Sequence, residues 1–209
     1  MSALAATIAV SRALSPEDQA RADCYAVLAR LFADAPDRAF LDALGSAARH
    51  PDDDGIALAA AWNRLVDASR AMDADAARQE YDDLFVGVGK SEVNLHASHW
   101  RAGFMMEKPL AQLRTELAAL GLARKGEATM VEDHLAALCE TMRLLIAGDV
   151  ERRGAPIDVQ RNFFQKELYP WVFDCCAAIE HCSLANYYRR VAEFATLFLA
   201  VERDSLVMD

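Results

Sequence analysis

The chain has 209 residues, of which 54% are hydrophobic, so it is long enough for one large packed domain or two small ones. Its 32 acidic and 22 basic residues give a formal net charge of −10, which argues against a nucleic-acid partner because such a surface repels phosphate backbones. No apolar run approaches the roughly 18–20 residues that a membrane span needs, so we expect no stable membrane insertion.

The cysteines and the first residues of the chain indicate the cellular compartment of the protein. The five cysteines are odd in number, lie within helical patterns and lack CxxC spacing, which favours reduced thiols over a disulfide framework. An apolar run from Ala3 to Val10 is preceded by no basic residue and therefore does not predict a secretory signal. We expect a cytoplasmic protein.

The first half of the chain reads as four helices. Ser15, Pro16, Glu17 and Asp18 form a strong helix start, and this helix should end near Pro36. A short helix is predicted over residues 37–49, a third carries Leu58 to Val66, and a fourth ends at Phe85.

The second half continues the helical pattern after a loop over residues 86–95. Helices are predicted over residues 97–106, from Pro109 to Gly121, from a capping box formed by Thr129 and Glu132, from about Ile157, and over residues 184–201. Pro170 should kink or restart the helix that begins near Ile157. Residues 123–128 are polar and form the best hinge candidate. The sequence therefore predicts an all-α fold of about eight to ten helices.

Two motifs suggest enzymatic chemistry only weakly. Residues 87–91 end like a phosphate-binding P-loop, but Leu84 stands where the motif needs its first glycine, and a helix precedes it where a strand should. His96 and His99, and the cluster formed by Cys175, Cys176, His181 and Cys182, lack the ordered spacing of zinc or di-iron sites. A metal- or nucleotide-dependent hydrolase is kept as an alternative, as is an adaptor that binds a folded partner.

Three features in a fixed order carry a family resemblance. They are the Tyr-x-x-Leu-Phe-x-Gly pattern of residues 81–87, a loop with Ser98 leading to a helix containing Met105, Met106 and Pro109, and Glu132-Asp133-His134 before a long amphipathic helix. Together they resemble the TorD/DmsD/NarJ family of molybdoenzyme maturation chaperones over roughly residues 20 to 202. The family often has a proline where Met130 and Val131 precede the acidic motif here.

This resemblance implies one helical domain in two unequal parts, divided into residues 1–122, a hinge at 123–134 and residues 135–209. It also implies a chaperone without catalytic activity that binds the twin-arginine leader of an apo-molybdoenzyme, and in addition the body of that enzyme, until the molybdopterin cofactor is inserted. We expect no cofactor of its own; contact with molybdopterin or GTP is left open, as are the client and the choice between a monomer and a domain-swapped dimer.

A receptor for such a leader needs carboxylates beside an apolar groove, because the leader combines arginines with an apolar stretch. Glu132 and Asp133 are the predicted partners of the arginines, and His134 is the predicted orienting group. The full set of predicted peptide-binding residues is Glu132, Asp133, His134, Trp100, Phe104, Met105, Tyr81 and Phe85.

Overall fold

A computed structural model describes residues 14–51, 55–87, 89–102, 107–122, 130–149 and 153–208. Within these ranges the chain is helical and has no strand, as predicted. None of the described helices is both long enough and apolar enough to cross a membrane. The helices are α1 (Pro16–Ala33), α2 (Arg38–Gly45), α3 (Ala57–Ala71), α4 (Ala74–Tyr81), α5 (Ala97–Ala102), α6 (Glu107–Ala119), α7 (Leu135–Ala147), α8 (Ile157–Phe163), α9 (Val172–His181) and α10 (Tyr187–Met208).

Several helices begin and end where local sequence signals predict. The Ser15 hydroxyl accepts the Asp18 N–H at 3.0 Å and caps α1, which ends at Ala33 before Pro36. Asp37 caps α2 in the same way, through the Phe40 N–H. Pro170 separates α8 from α9, which confirms that the proline restarts the helix.

The predicted start of α7 was wrong. The capping box placed it at Thr129 and Glu132, but Thr129 lies outside the described residues and the helix begins at Leu135. His134 is the N-cap, and its side chain accepts the Ala136 N–H. Glu132 and Asp133 lie in the turn before the helix.

Two helices continue into π-helical segments that the sequence analysis did not predict. Asp82–Val86 extends α4, and Phe164–Leu168 extends α8. A π-helical turn holds more residues than an α-helical turn, so it changes which side chains face the core. The first segment ends at Gly87, whose φ is 64°; a Cβ there would lie 2.2 Å from the Lys90 carbonyl oxygen, so only glycine fits.

One core joins helices from both ends of the chain. Helix α1 packs along α7, and α10 packs against α3 and α9. Their shared core includes the largest buried side chains, among them Trp171, Tyr25, Tyr187, Tyr188 and Phe32. The division into residues 1–122 and 135–209 stays a prediction, and most of the predicted hinge, residues 123–129, lies outside the described ranges.

Two buried carboxylates tie α10 to the rest of the fold. Glu80 of α4 accepts the N–H groups of Asn186, Tyr187 and Tyr188, at 2.8, 3.1 and 2.8 Å, and so supplies the helix cap from a distant part of the chain. Glu202 of α10 pairs with Arg21 of α1 at 2.7 Å, with side chains that are only 2% and 11% exposed.

The Arg21–Glu202 pair generates a stability prediction. Arg21→Met keeps the aliphatic stem but leaves a buried carboxylate without its cation, which should lower the free energy of unfolding by about 3–5 kcal/mol. The matched control is Arg64→Met, since Arg64 pairs with Glu193 nearer the surface. That change should cost less than about 1 kcal/mol. Urea unfolding of both variants measures the difference, and equal losses would contradict the assignment.

Candidate functional site

Two short backbone segments meet at a junction between the first and second halves of the chain. The Leu135 N–H donates to the Leu95 carbonyl at 2.8 Å, and the Ala97 N–H donates to the Asp133 carbonyl at 3.0 Å. His96 and His134 lie opposite one another in this isolated antiparallel bridge. The junction, defined here as residues 94–101 with residues 132–134, therefore brings α5 to the start of α7.

Asp133 is the buried acid of the junction and is only 3% exposed. Its Oδ2 accepts the Ser98 N–H at 3.0 Å in the first turn of α5. Its Oδ1 is buried and has no hydrogen-bond partner among the described residues. A buried polar atom without a partner costs about 1–3 kcal/mol, so Oδ1 is a favourable acceptor for a donor brought by a ligand.

The two histidines of the junction are held close together. Their ring centroids are 4.9 Å apart at 83°, an edge-to-face arrangement. Burial, together with the neighbouring His96, lowers the pKa of His134 to about 4, although the charge of Asp133 opposes this shift. Burial also lowers the pKa of His96. Both rings are therefore neutral near pH 7, beside a carboxylate.

Trp100 and its neighbour Arg101 fasten α5 at two points, the first to the preceding loop and the second to the C-terminal half of the chain. The Trp100 indole N–H donates to the Asn94 carbonyl at 2.7 Å, and the ring is half-buried. Arg101 pairs at 3.0 Å with Glu167, which projects from the second π-helical segment and is only 6% exposed. Burial raises the pKa of Glu167, while Arg101 opposes that shift.

Glu132 links the junction to α6. Its carboxylate accepts from Arg114 at 2.9 Å, and the two side chains are 17% and 52% exposed. Because the pair reaches solvent, it is a weak contact that a competing guanidinium can replace.

The structure brings together half of the predicted peptide-binding residues. Glu132, Asp133, His134 and Trp100 share the junction, whereas Phe104 and Met105 lie outside the described residues. Tyr81 and Phe85 belong to an aromatic cluster with Phe32 and Tyr188, in which the Tyr81 hydroxyl donates to the Phe32 carbonyl at 3.1 Å. Within the described ranges, no hydrogen bond or ring contact joins that cluster to the junction.

Sequence reasoning missed Asn94, His96 and Glu167 as parts of this site. His96 was considered only with His99 as a metal ligand, and no sequence spacing indicates that it faces His134. Asn94 lies in the predicted loop over residues 86–95, and an Asn side chain readily accepts the backbone N–H two residues further on, which was the available signal. Over the described part of the chain, no group of three His, Cys, Asp or Glu side chains is placed to hold a metal ion.

Comparisons with known proteins point to one family. Residues 51–177 match the profile of the family described as nitrate reductase delta subunit. The fold is similar to the crystal structure of a candidate redox enzyme maturation protein from Archaeoglobus fulgidus, with a TM-score of 0.55, 16% sequence identity, and coverage of 89% of this chain and 93% of that chain. A search of curated proteins found no match.

The lowered pKa of His134 generates a pH prediction. In the folded state the ring resists protonation down to about pH 4, whereas the unfolded chain takes up the proton below about pH 6.5. The contribution of the neutral ring to the free energy of unfolding is therefore fully present above pH 6.5. It is lost as the pH falls towards 4, by about 1.4 kcal/mol per pH unit. His134→Asn keeps a capping acceptor and should make the free energy of unfolding less dependent on pH in this range.

Urea unfolding at several pH values between 7 and 4.5 measures that slope. His181→Asn is the control, because His181 is an exposed histidine at the end of α9 and should leave the slope unchanged. Identical slopes for wild type and His134→Asn would contradict the role of burial at the junction.

Proposed function

Because the chain belongs to the nitrate reductase delta subunit family, which consists of maturation chaperones for molybdenum-containing redox enzymes, we propose that it binds the twin-arginine leader of an apo-molybdoenzyme. The predicted family resemblance is thereby confirmed. The proposed action takes place in the cytoplasm, involves no catalysis, and delays export of the client until its cofactor is inserted.

The observation that carries this proposal is the partnerless Oδ1 of the buried Asp133. A guanidinium carries five N–H donors in a planar fork and stays charged at all physiological pH values. An arginine of the leader that reaches Asp133 would satisfy this oxygen and neutralise its charge. Glu132, in the same turn, would receive a second arginine.

Access to Glu132 requires exchange of its ion pair with Arg114. Arg114 holds Glu132 in a partly exposed pair, and exposed pairs contribute only about 0–1 kcal/mol. A leader arginine can therefore take the place of Arg114 at little cost. Arg114 in turn would be released to solvent, where its charge is readily hydrated.

The apolar stretch of the leader needs its own contact surface. Trp100 is half-buried, and its indole N–H is already bonded to Asn94, so the exposed part of its ring offers an apolar face without an unsatisfied donor. Phe104 and Met105 stay proposed contacts a few residues further along the chain. Of the aromatic cluster, Phe85 is half-buried and stays a proposed contact, while Tyr81 is buried beneath it.

A peptide titration tests the proposal. A synthetic twin-arginine leader should bind the wild-type protein, and Asp133→Asn should weaken binding about tenfold or more because it removes a charge-assisted hydrogen bond. Asn keeps an acceptor for the Ser98 N–H, so α5 should remain capped. Binding is measured by calorimetry at two salt concentrations, and affinity should fall at the higher one.

The control for this titration is Glu92→Gln, which removes one negative charge from an exposed position in the loop before the junction. It should leave affinity within about twofold of wild type, since exposed charges are largely screened. Equal affinity for wild type and Asp133→Asn would remove the site assignment, and an affinity indifferent to salt would mean that the carboxylates are not engaged.

The delay of export is tested separately in cells. A reporter protein that carries the leader should reach the periplasm more slowly when the wild-type protein is co-expressed than when Asp133→Asn is. Equal export rates, with both proteins folded and present at equal amounts, would contradict the delay of export. Binding of the leader peptide would still be judged by the titration.

A further inference from the structure

His96 is the member of the junction for which the proposed function gives no role. The side-chain Oδ1 of Asn94 accepts the main-chain N–H of His96 at 2.8 Å and lies 3.1 Å from His96 Nδ1. A main-chain N–H is always a donor, so the Asn94 atom that it meets must be the oxygen, which can only accept. The proton between Asn94 and the imidazole therefore resides on His96 Nδ1.

A neutral imidazole carries one proton, so the other ring nitrogen of His96, Nε2, bears a lone pair. No hydrogen bond to this nitrogen is found among the described residues. His134 has the opposite tautomer, because its Nδ1 accepts the Ala136 N–H at 3.2 Å and its Nε2 must carry the proton. The facing rings thus differ: one offers an acceptor and the other a donor.

We infer that His96, held in this tautomer by Asn94, is a second hydrogen-bond acceptor for the leader arginine, beside Asp133 Oδ1. The inference rests on the proposed function and adds a determinant of arginine specificity to it. His96 is half-buried, so its ring is within reach of a ligand, whereas the partnerless oxygen of Asp133 lies deeper.

Two acceptors of different depth suit arginine better than lysine. The guanidinium directs its donors along fixed directions in one plane and can bond a carboxylate and an imidazole at once. An ammonium is a compact charge that binds the carboxylate but gains less from a second acceptor. His96 therefore contributes selectivity between the two cations, while Asp133 contributes attraction to both.

Asn94 is the positioning residue of this arrangement. Its side chain fixes the His96 tautomer. Its main-chain carbonyl oxygen accepts the Trp100 indole N–H and lies 3.8 Å from the thiol sulfur of Cys175 in α9. Asn94 thus positions both the His96 acceptor and the Trp100 ring relative to Cys175 of α9.

The tautomer is tested without any peptide. Long-range proton–nitrogen NMR of the full-length protein at pH 7 should show a protonated Nδ1 and an unprotonated Nε2 for His96, and the reverse for His134. In Asn94→Ala the His96 signals should move towards a mixture of both tautomers. A wild-type His96 that carries its proton on Nε2 would overturn the inference.

Peptide selectivity is the second test. Calorimetry compares the twin-arginine leader with the same peptide carrying two lysines. His96→Phe, which keeps a ring but has no acceptor, should weaken binding of the arginine peptide about tenfold and reduce the preference over lysine, while His96→Gln, which retains an acceptor, should recover most of it. His181→Phe, at the exposed end of α9, is the matched control and should keep the wild-type ratio.

The outcomes separate this inference from the proposed function. If the wild-type protein binds the leader but His96→Phe keeps the wild-type arginine preference, the role of His96 is excluded and peptide capture stands. If the wild type does not bind the leader, the proposed function fails and the inference fails with it. Should His96→Phe not fold, as judged by circular dichroism, Asn94→Ala takes its place, and an unchanged arginine preference in that variant would exclude the inference.

Discussion

The pairing of residues 95–97 with residues 133–135 is the contact on which the site depends. Only two backbone hydrogen bonds form it, yet they hold α5 and the start of α7 in register. With the register set, the Asp133 side chain reaches the first turn of α5 and the rings of His96 and His134 face one another. A shift of one residue in either segment would turn its side chains to the opposite face of the pairing and abolish both contacts.

The electrostatics of the junction follow from that pairing. A carboxylate is buried next to two imidazoles that burial keeps neutral, so its negative charge is not cancelled within the junction. The nearby cations are engaged elsewhere, Arg101 with Glu167 and Arg114 with Glu132. The arrangement leaves a negative site that is protected from solvent screening, and this is where an added cation has its largest effect.

Sequence signals were sufficient for several features whose determining residues are neighbours in the chain. The Ser15 cap, the end of α1 before Pro36 and the break at Pro170 each depend on a few consecutive residues. The motif of residues 132–134 was located, but its role as a turn before α7 was not, because the sequence pattern favoured an earlier cap and gave no sign that His134 caps the helix.

The parts that could not be predicted depend on residues far apart in sequence. Nothing in the spacing of the histidines indicates that His96 faces His134, and the π-helical segments have no local signature, so the placement of Glu167 on Arg101 was not foreseeable. The aromatic residues of the family pattern were taken for contact residues. In the structure Tyr81 packs within the core, a burial that periodicity alone does not reveal.

The cap that Glu80 supplies to α10 bears on how the chain acquires its structure during synthesis. The acceptor lies in α4, whereas the three N–H groups belong to residues 186–188, more than a hundred positions later. Helix α10 also packs against α3 and α9, and its Glu202 neutralises Arg21 of the first helix. The face of α3 that packs against α10 therefore stays uncovered until residues 186–208 have left the ribosome, so this maturation chaperone completes its own fold only at the end of its synthesis.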